Sequence, residues 1–193
     1  MADITSKEGY LSLFIGPMYS GKTSKLLELY KQFKFCEMPT LVVNYIGDNR
    51  YDTTMLSTHD KSMIPCMMCE TLSDICDIFN DKLTEQFTDA DIILINEGQF
   101  FKDIVEWVTI AVNKYHKHVY ICGLDGDYKR RLFGNWLDLI PQSDAIIKLY
   151  SFCSNCKKHP GIFSHRLNNE TQQVLIGADS YIPLCRKCFN DKN

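Results

Sequence analysis

Eight consecutive residues, Gly16-Pro17-Met18-Tyr19-Ser20-Gly21-Lys22-Thr23, fit the pattern G-x-x-x-x-G-K-[ST]. Glycines at both ends let the backbone curl so that successive N–H groups face one anion. Lys22 has the reach for the β- and γ-phosphates of a nucleotide, and the Thr23 hydroxyl is a hard oxygen ligand for Mg²⁺. Further on, Cys153-Ser154-Asn155-Cys156 and Cys185-Arg186-Lys187-Cys188 are two C-x-x-C pairs. Each sets two thiolates on one turn, and two such turns close a tetrahedral zinc site. Their spacer, Lys157 to Leu184, is longer than the roughly 15–20 residues of the commonest pattern. A third pair, Cys66-Met67-Met68-Cys69, lies in an apolar stretch without a partner pair and reads as core thiols.

A phosphate loop needs a strand before it and a helix after it. Tyr10 to Ile15 is apolar, and Leu26, Leu27, Leu29, Tyr30 and Phe33 recur at helical spacing beyond Thr23. Thr40 to Ile46 reads as a second buried strand, and Gly47 to about Lys61 as a polar loop. Ser62 to Met68 is a short strand candidate. Thr71 to Phe87 reads as a helix with Leu72, Ile75, Cys76, Phe79 and Leu83 on one face and a cap at Thr71 or Ser73. Ile92-Ile93-Leu94-Ile95 is the most apolar run and a central parallel strand. A helix from about Ile104 to Tyr115 and a strand from His118 to Gly123 follow. Strand and helix alternate, which predicts a doubly wound, mainly parallel α/β sheet over 1–150. Such sheets bind ligands at the carboxyl ends of strands, where the phosphate loop and Asn96-Glu97 both fall.

Beyond Leu124-Asp125-Gly126-Asp127-Tyr128 the composition shifts. Lys129, Arg130 and Arg131 read either as a solvated turn or as a contact to phosphates or nucleoside. Residues 151–193 form a different module with little helix signal. Within it, Ile162 to Ser164, a turn at Asn168-Asn169, and Gln173 to Ile176 look like a hairpin held between the cysteine pairs.

The 193 residues carry 45% hydrophobic and 23% charged side chains, an ordinary globular balance for one domain with a small appendage. The net charge of −3 and the absence of a basic, aromatic-interleaved face count against nucleic acid as a partner. The polar N-terminus carries no leader-like apolar stretch, and no 18-residue apolar run suggests a membrane span. A cytoplasmic location is expected, with the 9 cysteines as thiols or metal ligands.

These stretches resemble the cytosolic-type (type II) thymidine kinases over essentially the whole chain. The resemblance rests on the phosphate loop, Asp48-Asn49-Arg50-Tyr51, Thr58-His59-Asp60, Glu97-Gly98-Gln99-Phe100-Phe101, Leu124-Asp125-Gly126, Phe133-Gly134 and Gly177-Ala178-Asp179-Ser180-Tyr181. It implies a P-loop (RecA-like) fold and transfer of the γ-phosphoryl of ATP to the 5′-hydroxyl of thymidine, with deoxyuridine as a second acceptor. Glu97 would be the general base, Lys22 and Arg50 would steady the phosphoryl group, and Asp48 would position the Arg50 loop. Gln99 would join the residues at the nucleotide. Met18, Phe100, Leu124, Tyr128, Phe133 and Ser164 would surround the nucleoside. Val174, Ile176 and Tyr181 would belong to a lasso loop tied at its base by zinc on Cys153, Cys156, Cys185 and Cys188. Family members are usually homotetramers inhibited by thymidine triphosphate.

The chain departs from that family at Asn96, where Asp is usual. Asn keeps a carbonyl acceptor for Mg²⁺ but loses the charge, so weaker Mg²⁺ binding beside Thr23 is expected. Asn44 stands where Lys is common, and Ile176 where Gly is common. Three rival readings follow: a weakly catalytic nucleotide binder, a P-loop enzyme for another substrate such as a nucleoside monophosphate, and a zinc ribbon for nucleic acid beside an ATPase.

Overall fold

The computed structural model describes residues 8–47, 55–57, 63–175 and 180–192. Its strands are β1 (Tyr10–Ile15), β2 (Thr40–Tyr45), β3 (Met55–Ser57), β4 (Met63–Pro65), β5 (Met67–Cys69), β6 (Ile92–Ile95), β7 (His118–Gly123), β8 (Ala145–Lys148), β9 (Ser151–Phe152), β10 (Pro160–Gly161), β11 (Phe163–Arg166) and β12 (Tyr181–Leu184). The helices are α1 (Lys22–Phe35), α2 (Glu85–Asp89), α3 (Ile104–Asn113) and α4 (Arg186–Asn190). Six strands form one sheet in the order β5-β2-β6-β7-β1-β8, and every pairing in it is parallel.

Side-chain alternation explains why both faces of this sheet are covered. Ile92 and Leu94 of β6 pack with Leu26, Leu27 and Phe33 of α1 on one face. Ile93 and Ile95 pack with Ile104, Trp107, Val108 and Ala111 of α3 on the other. A strand apolar at every position is what a parallel sheet between two helical layers requires. Buried from both sides, all four β6 residues are fully excluded from water.

Four local expectations are corrected. The segment 71–87 is not one helix. It forms two 3-10 turns, Leu72–Asp74 and Ile78–Asn80, before α2. Leu72, Ile75 and Ile78 are buried three residues apart, the spacing of a 3-10 turn, whereas Phe79 and Leu83 are exposed. Thr71 does cap the first turn, its N–H donating to the Asp74 carboxylate at 2.8 Å. The single strand at 62–68 is two strands broken at Cys66. β4 pairs antiparallel with β3, inside the stretch read as loop, while β5 extends the main sheet.

The hairpin between the cysteine pairs exists, but its second arm is β12 rather than 173–176. β11 pairs with β12 from Phe163↔Leu184 to Arg166↔Tyr181. The short helix α4 also falls within residues 151–193, where little helix is expected. Arg130, exposed in the solvated turn, also makes contacts within the protein. Its guanidinium lies over the rings of Phe163 and Phe189 and donates to Asn190 Oδ1 at 3.3 Å. Among the described residues no helix is long and apolar enough to cross a membrane.

Candidate active site

The loop from Gly16 to Gly21 leads β1 into α1. Gly21 sits at φ 81 with open space around its Cβ position, so backbone conformation rather than crowding favours glycine there. The first turn of α1 contains no acidic residue, which leaves its positive dipole end unopposed. The Lys22 side chain is buried, and its Nζ donates to the Pro17 carbonyl at 2.6 Å. Beneath the loop, the buried Cys122 thiol donates to the Lys22 carbonyl at 3.1 Å.

Asn96 follows β6 directly and is buried. Its Oδ1 accepts from Thr23 Oγ1 at 3.4 Å, and its Nδ2 donates to Asn44 Oδ1 at 3.0 Å. Two oxygens around one Mg²⁺ at 2.0–2.1 Å are separated by about 3 Å. The Thr23 and Asn96 oxygens therefore fit neighbouring positions around that cation, and both are neutral.

Glu97 adopts a left-handed backbone, φ 57 and ψ 43, a conformation a non-glycine residue holds only when its surroundings enforce it. Gln99, also buried, does part of the enforcing: its Nε2 donates to the Glu97 carboxylate, and its Oε1 accepts from Leu124 N–H at 2.9 Å. Trp136 Nε1 in turn donates to the Leu124 carbonyl at 3.0 Å. Gly134, at φ +67, lies so close that a Cβ would stand 2.3 Å from the Gln99 carbonyl oxygen. The Phe133-Gly134 pair thus lets one turn press against the Glu97–Gln99 turn.

A cavity opens beside Glu97. Met18, Phe100, Leu124, Tyr128, Phe133, Ser164, Val174 and Tyr181 all line it, together with Glu97 and Gln99. Every described member of the expected nucleoside set is therefore brought to one place. Phe100 and Phe133, meeting edge-on at 5.4 Å, give the cavity an aromatic wall, and Tyr45 stacks on Phe100 at 4.8 Å. Asp48-Asn49-Arg50-Tyr51, Thr58-His59-Asp60, Ile176 and Gly177-Ala178-Asp179 lie outside the described residues.

The far wall is organised by residues the sequence reading missed. Arg166 is buried, with its guanidinium 3.8 Å from the centre of the Tyr128 ring and 5.1 Å from that of Tyr181. It donates to the carbonyls of Glu170, Gln172 and Gln173 and to the Tyr181 hydroxyl. One planar fork thus holds the loop across the cavity. A second clasp comes from the buried Asp127 carboxylate, which accepts from Gln173 Nε2 at 3.0 Å while bonding the backbone N–H groups of Lys129 and Arg131. Tyr128 Oη donates to the Thr171 carbonyl at 3.0 Å. Most of these partners are backbone groups, which leave no sequence signature.

At the base of this loop, Cys153, Cys156, Cys185 and Cys188 place their four sulfurs within 4.8 Å of one another. Tetrahedral Zn–S bonds of 2.3 Å require sulfur separations of about 3.8 Å, and Cys156 and Cys185 stand at 3.9 Å. Desolvation opposes ionisation of the Cys153 thiol, but N–H groups of Cys185, Cys156 and Asn155 outweigh it and bring it down to about 6. A Cys188 N–H favours ionisation of Cys185, but burial and the neighbouring thiols hold it up at about 11, so the four sulfurs share charge as one group. The cluster fits zinc in geometry and in its all-sulfur donor set. Cys69 of the third pair is instead buried core, its thiol pushed up to about 12 chiefly by desolvation.

A parallel sheet with a phosphate loop at the carboxyl end of β1, an acidic residue after β6 and an apolar cavity beside them is the arrangement of a P-loop nucleotide-binding enzyme. Comparison with known proteins narrows the class. The family profile described as thymidine kinase matches residues 9–189. Thymidine kinases of variola virus, monkeypox virus and vaccinia virus (strain Western Reserve) are each 39% identical over 184 residues, covering 95% of this chain and 98% of theirs. The chain belongs to the thymidine kinase family.

Proposed function

We propose that this protein transfers the γ-phosphoryl group of ATP to the 5′-hydroxyl of thymidine, giving thymidine monophosphate and ADP. The observation that carries this reading is the single cavity shared by Met18 of the phosphate loop, Glu97 at the end of β6, and the lid residues Ser164, Val174 and Tyr181. A nucleoside seated against the aromatic wall presents its hydroxyl between carboxylate and phosphates. Glu97 takes the hydroxyl proton as the 5′-oxygen attacks the γ-phosphorus, and the bond to the β-phosphate oxygen breaks.

The backbone N–H groups of the loop and Lys22 hold the phosphates, and Arg50 covers the charge on the transferring group. Asp48 fixes the Arg50 loop. Thr23 and Asn96 would hold Mg²⁺, which would supply positive charge to offset that of the phosphates. Gln99 orients Glu97. Zinc on the four cysteines gives the lid loop its fixed base, the 151–193 unit acting as a lid on the 1–150 unit.

Deoxyuridine is accepted less well, by the roughly 1–3 kcal/mol that one methyl contributes in an apolar pocket. Thymidine triphosphate inhibits by occupying nucleoside and phosphate sites together. Self-association into a tetramer is supported by Ile146 and Ile147, exposed on the edge strand β8. A cytoplasmic setting fits nine cysteines without a disulfide.

The test is ADP release from Mg·ATP with thymidine, with deoxycytidine, and without nucleoside. Turnover that appears with thymidine alone is expected. Equal rates in all three would sink the nucleoside assignment. Thermal stabilisation by thymidine triphosphate without turnover would favour the weakly catalytic binder, with Asn96 as the disabling residue.

A further inference from the structure

We propose that Asn44 is a positioning residue for the metal: by accepting a hydrogen bond it fixes the Asn96 side chain with its carbonyl oxygen turned toward Thr23. The inference rests on the metal–nucleotide half of the function proposed above and not on the nucleoside half.

Asn44 and Asn96 stand on neighbouring strands. The Asn96 N–H donates to the Val43 carbonyl at 2.9 Å, so the β2–β6 ladder continues to the level of both side chains. Each is 2% exposed, and water has little access to either amide. An asparagine amide has unlike ends, an acceptor oxygen and a donor NH₂. Turned one way Asn96 offers a lone pair to a cation; turned the other way it presents N–H groups that repel it.

The Asn44 Oδ1, 3.0 Å from Asn96 Nδ2, bonds only the NH₂ end, and the opposite oxygen then lies 3.4 Å from Thr23 Oγ1. Without that acceptor, nothing seen at the Nδ2 side selects between the two orientations. Outer hydrogen bonds of this kind set metal affinity as surely as the ligands do. The Asn44–Asn96–Thr23 set is also uncharged, so the charge of the cation is balanced by nucleotide phosphates.

The experiment measures Mn²⁺ binding to the full-length, ADP-loaded protein by electron paramagnetic resonance, with ADP affinity lacking added divalent metal as the control. Asn44→Leu should weaken Mn²⁺ binding about tenfold and leave metal-free ADP affinity within about twofold. Asn44→Asp keeps an acceptor at the same place and should restore Mn²⁺ binding to the parent value or tighter. An unchanged Mn²⁺ affinity in Asn44→Leu, or failure of Asn44→Asp to restore it, overturns the proposal. Should the Leu variant not fold, Asn44→Asp decides alone, since Mn²⁺ binding weaker than in the parent contradicts an acceptor role. Thymidine takes no part in the assay, so a failed nucleoside assignment leaves this readout intact.

Discussion

The Met18 N–H donates to Ser164 Oγ at 2.9 Å, joining the phosphate loop to β11 across 146 positions of sequence. The two walls of the cavity are thus pinned to each other and not merely adjacent. Replacing Ser164 by Ala leaves a backbone donor unpaired, a change of about 1–3 kcal/mol. Ser164→Ala should therefore raise KM for thymidine roughly tenfold while changing ADP affinity far less. Steady-state kinetics beside an ADP titration measure both, and an unmoved thymidine KM would contradict the coupling.

Glu97→Gln keeps the side-chain shape and removes the base. A drop in kcat of about 10²- to 10⁴-fold is expected, with thymidine affinity little changed. Calorimetry on the variant separates binding from chemistry. Should kcat survive, proton removal does not pass through Glu97.

Arg166 holds the lid by its shape as much as by its charge. Lysine retains the charge but has no planar fork to meet three carbonyls and stack on Tyr128. Arg166→Lys should weaken thymidine binding about tenfold or more with zinc content unchanged. Elemental analysis and a thymidine titration on one preparation check this. Parent-like affinity would mean the loop is held elsewhere.

What could be read from the sequence depended on where the information lies. The phosphate loop is eight contiguous residues, and the C-x-x-C pairs declare themselves by spacing. The strands of the parallel sheet are uninterrupted apolar runs, so Ile92–Ile95 and His118–Gly123 were placed to the residue. The segment 71–87 misled because apolar residues three apart satisfy a helix and a 3-10 turn equally well. Gln173 to Ile176 reads as a strand because Val174 and Leu175 are apolar, but these two side chains line a cavity and the Gln173 carbonyl is engaged by Arg166. The roles of Arg166 and Asp127 were illegible for the reason given above, and Asn44 acquires meaning only once β2 and β6 are neighbours.

Zinc removal should uncouple the two halves of the site. A thiol-reactive displacer with a metallochromic dye should release about one zinc per chain. Thymidine-dependent turnover should be lost with the metal, while Mg·ADP binding persists on the sheet. Simultaneous loss of both would mean that the cysteine cluster supports the whole fold.

Alkaline pH should destabilise the protein. Burial, with help from the carboxylates of Asp74 and Asp103, pushes the Cys69 thiol from 9.0 to about 12. Burial, with Tyr10 nearby, pushes Tyr120 from 10.0 to about 12. In the unfolded chain both groups lose their protons first, so their contribution is complete below pH 9 and is lost as pH rises toward 12. The slope is about 1.4 kcal/mol per pH unit for each group within its window. Melting temperature followed from pH 8 to 11 measures it, and a flat profile would argue against burial of these two groups.

The cavity draws its walls from Met18 at one extreme and Tyr181 at the other, and the module that carries the lid is closed only by Cys185 and Cys188. During synthesis, the six-stranded sheet is complete once β8 has emerged, and the phosphate loop with it. A chain interrupted before Cys185 would hold every described cavity residue, from Met18 to Tyr181, yet only two of the four clustered cysteines.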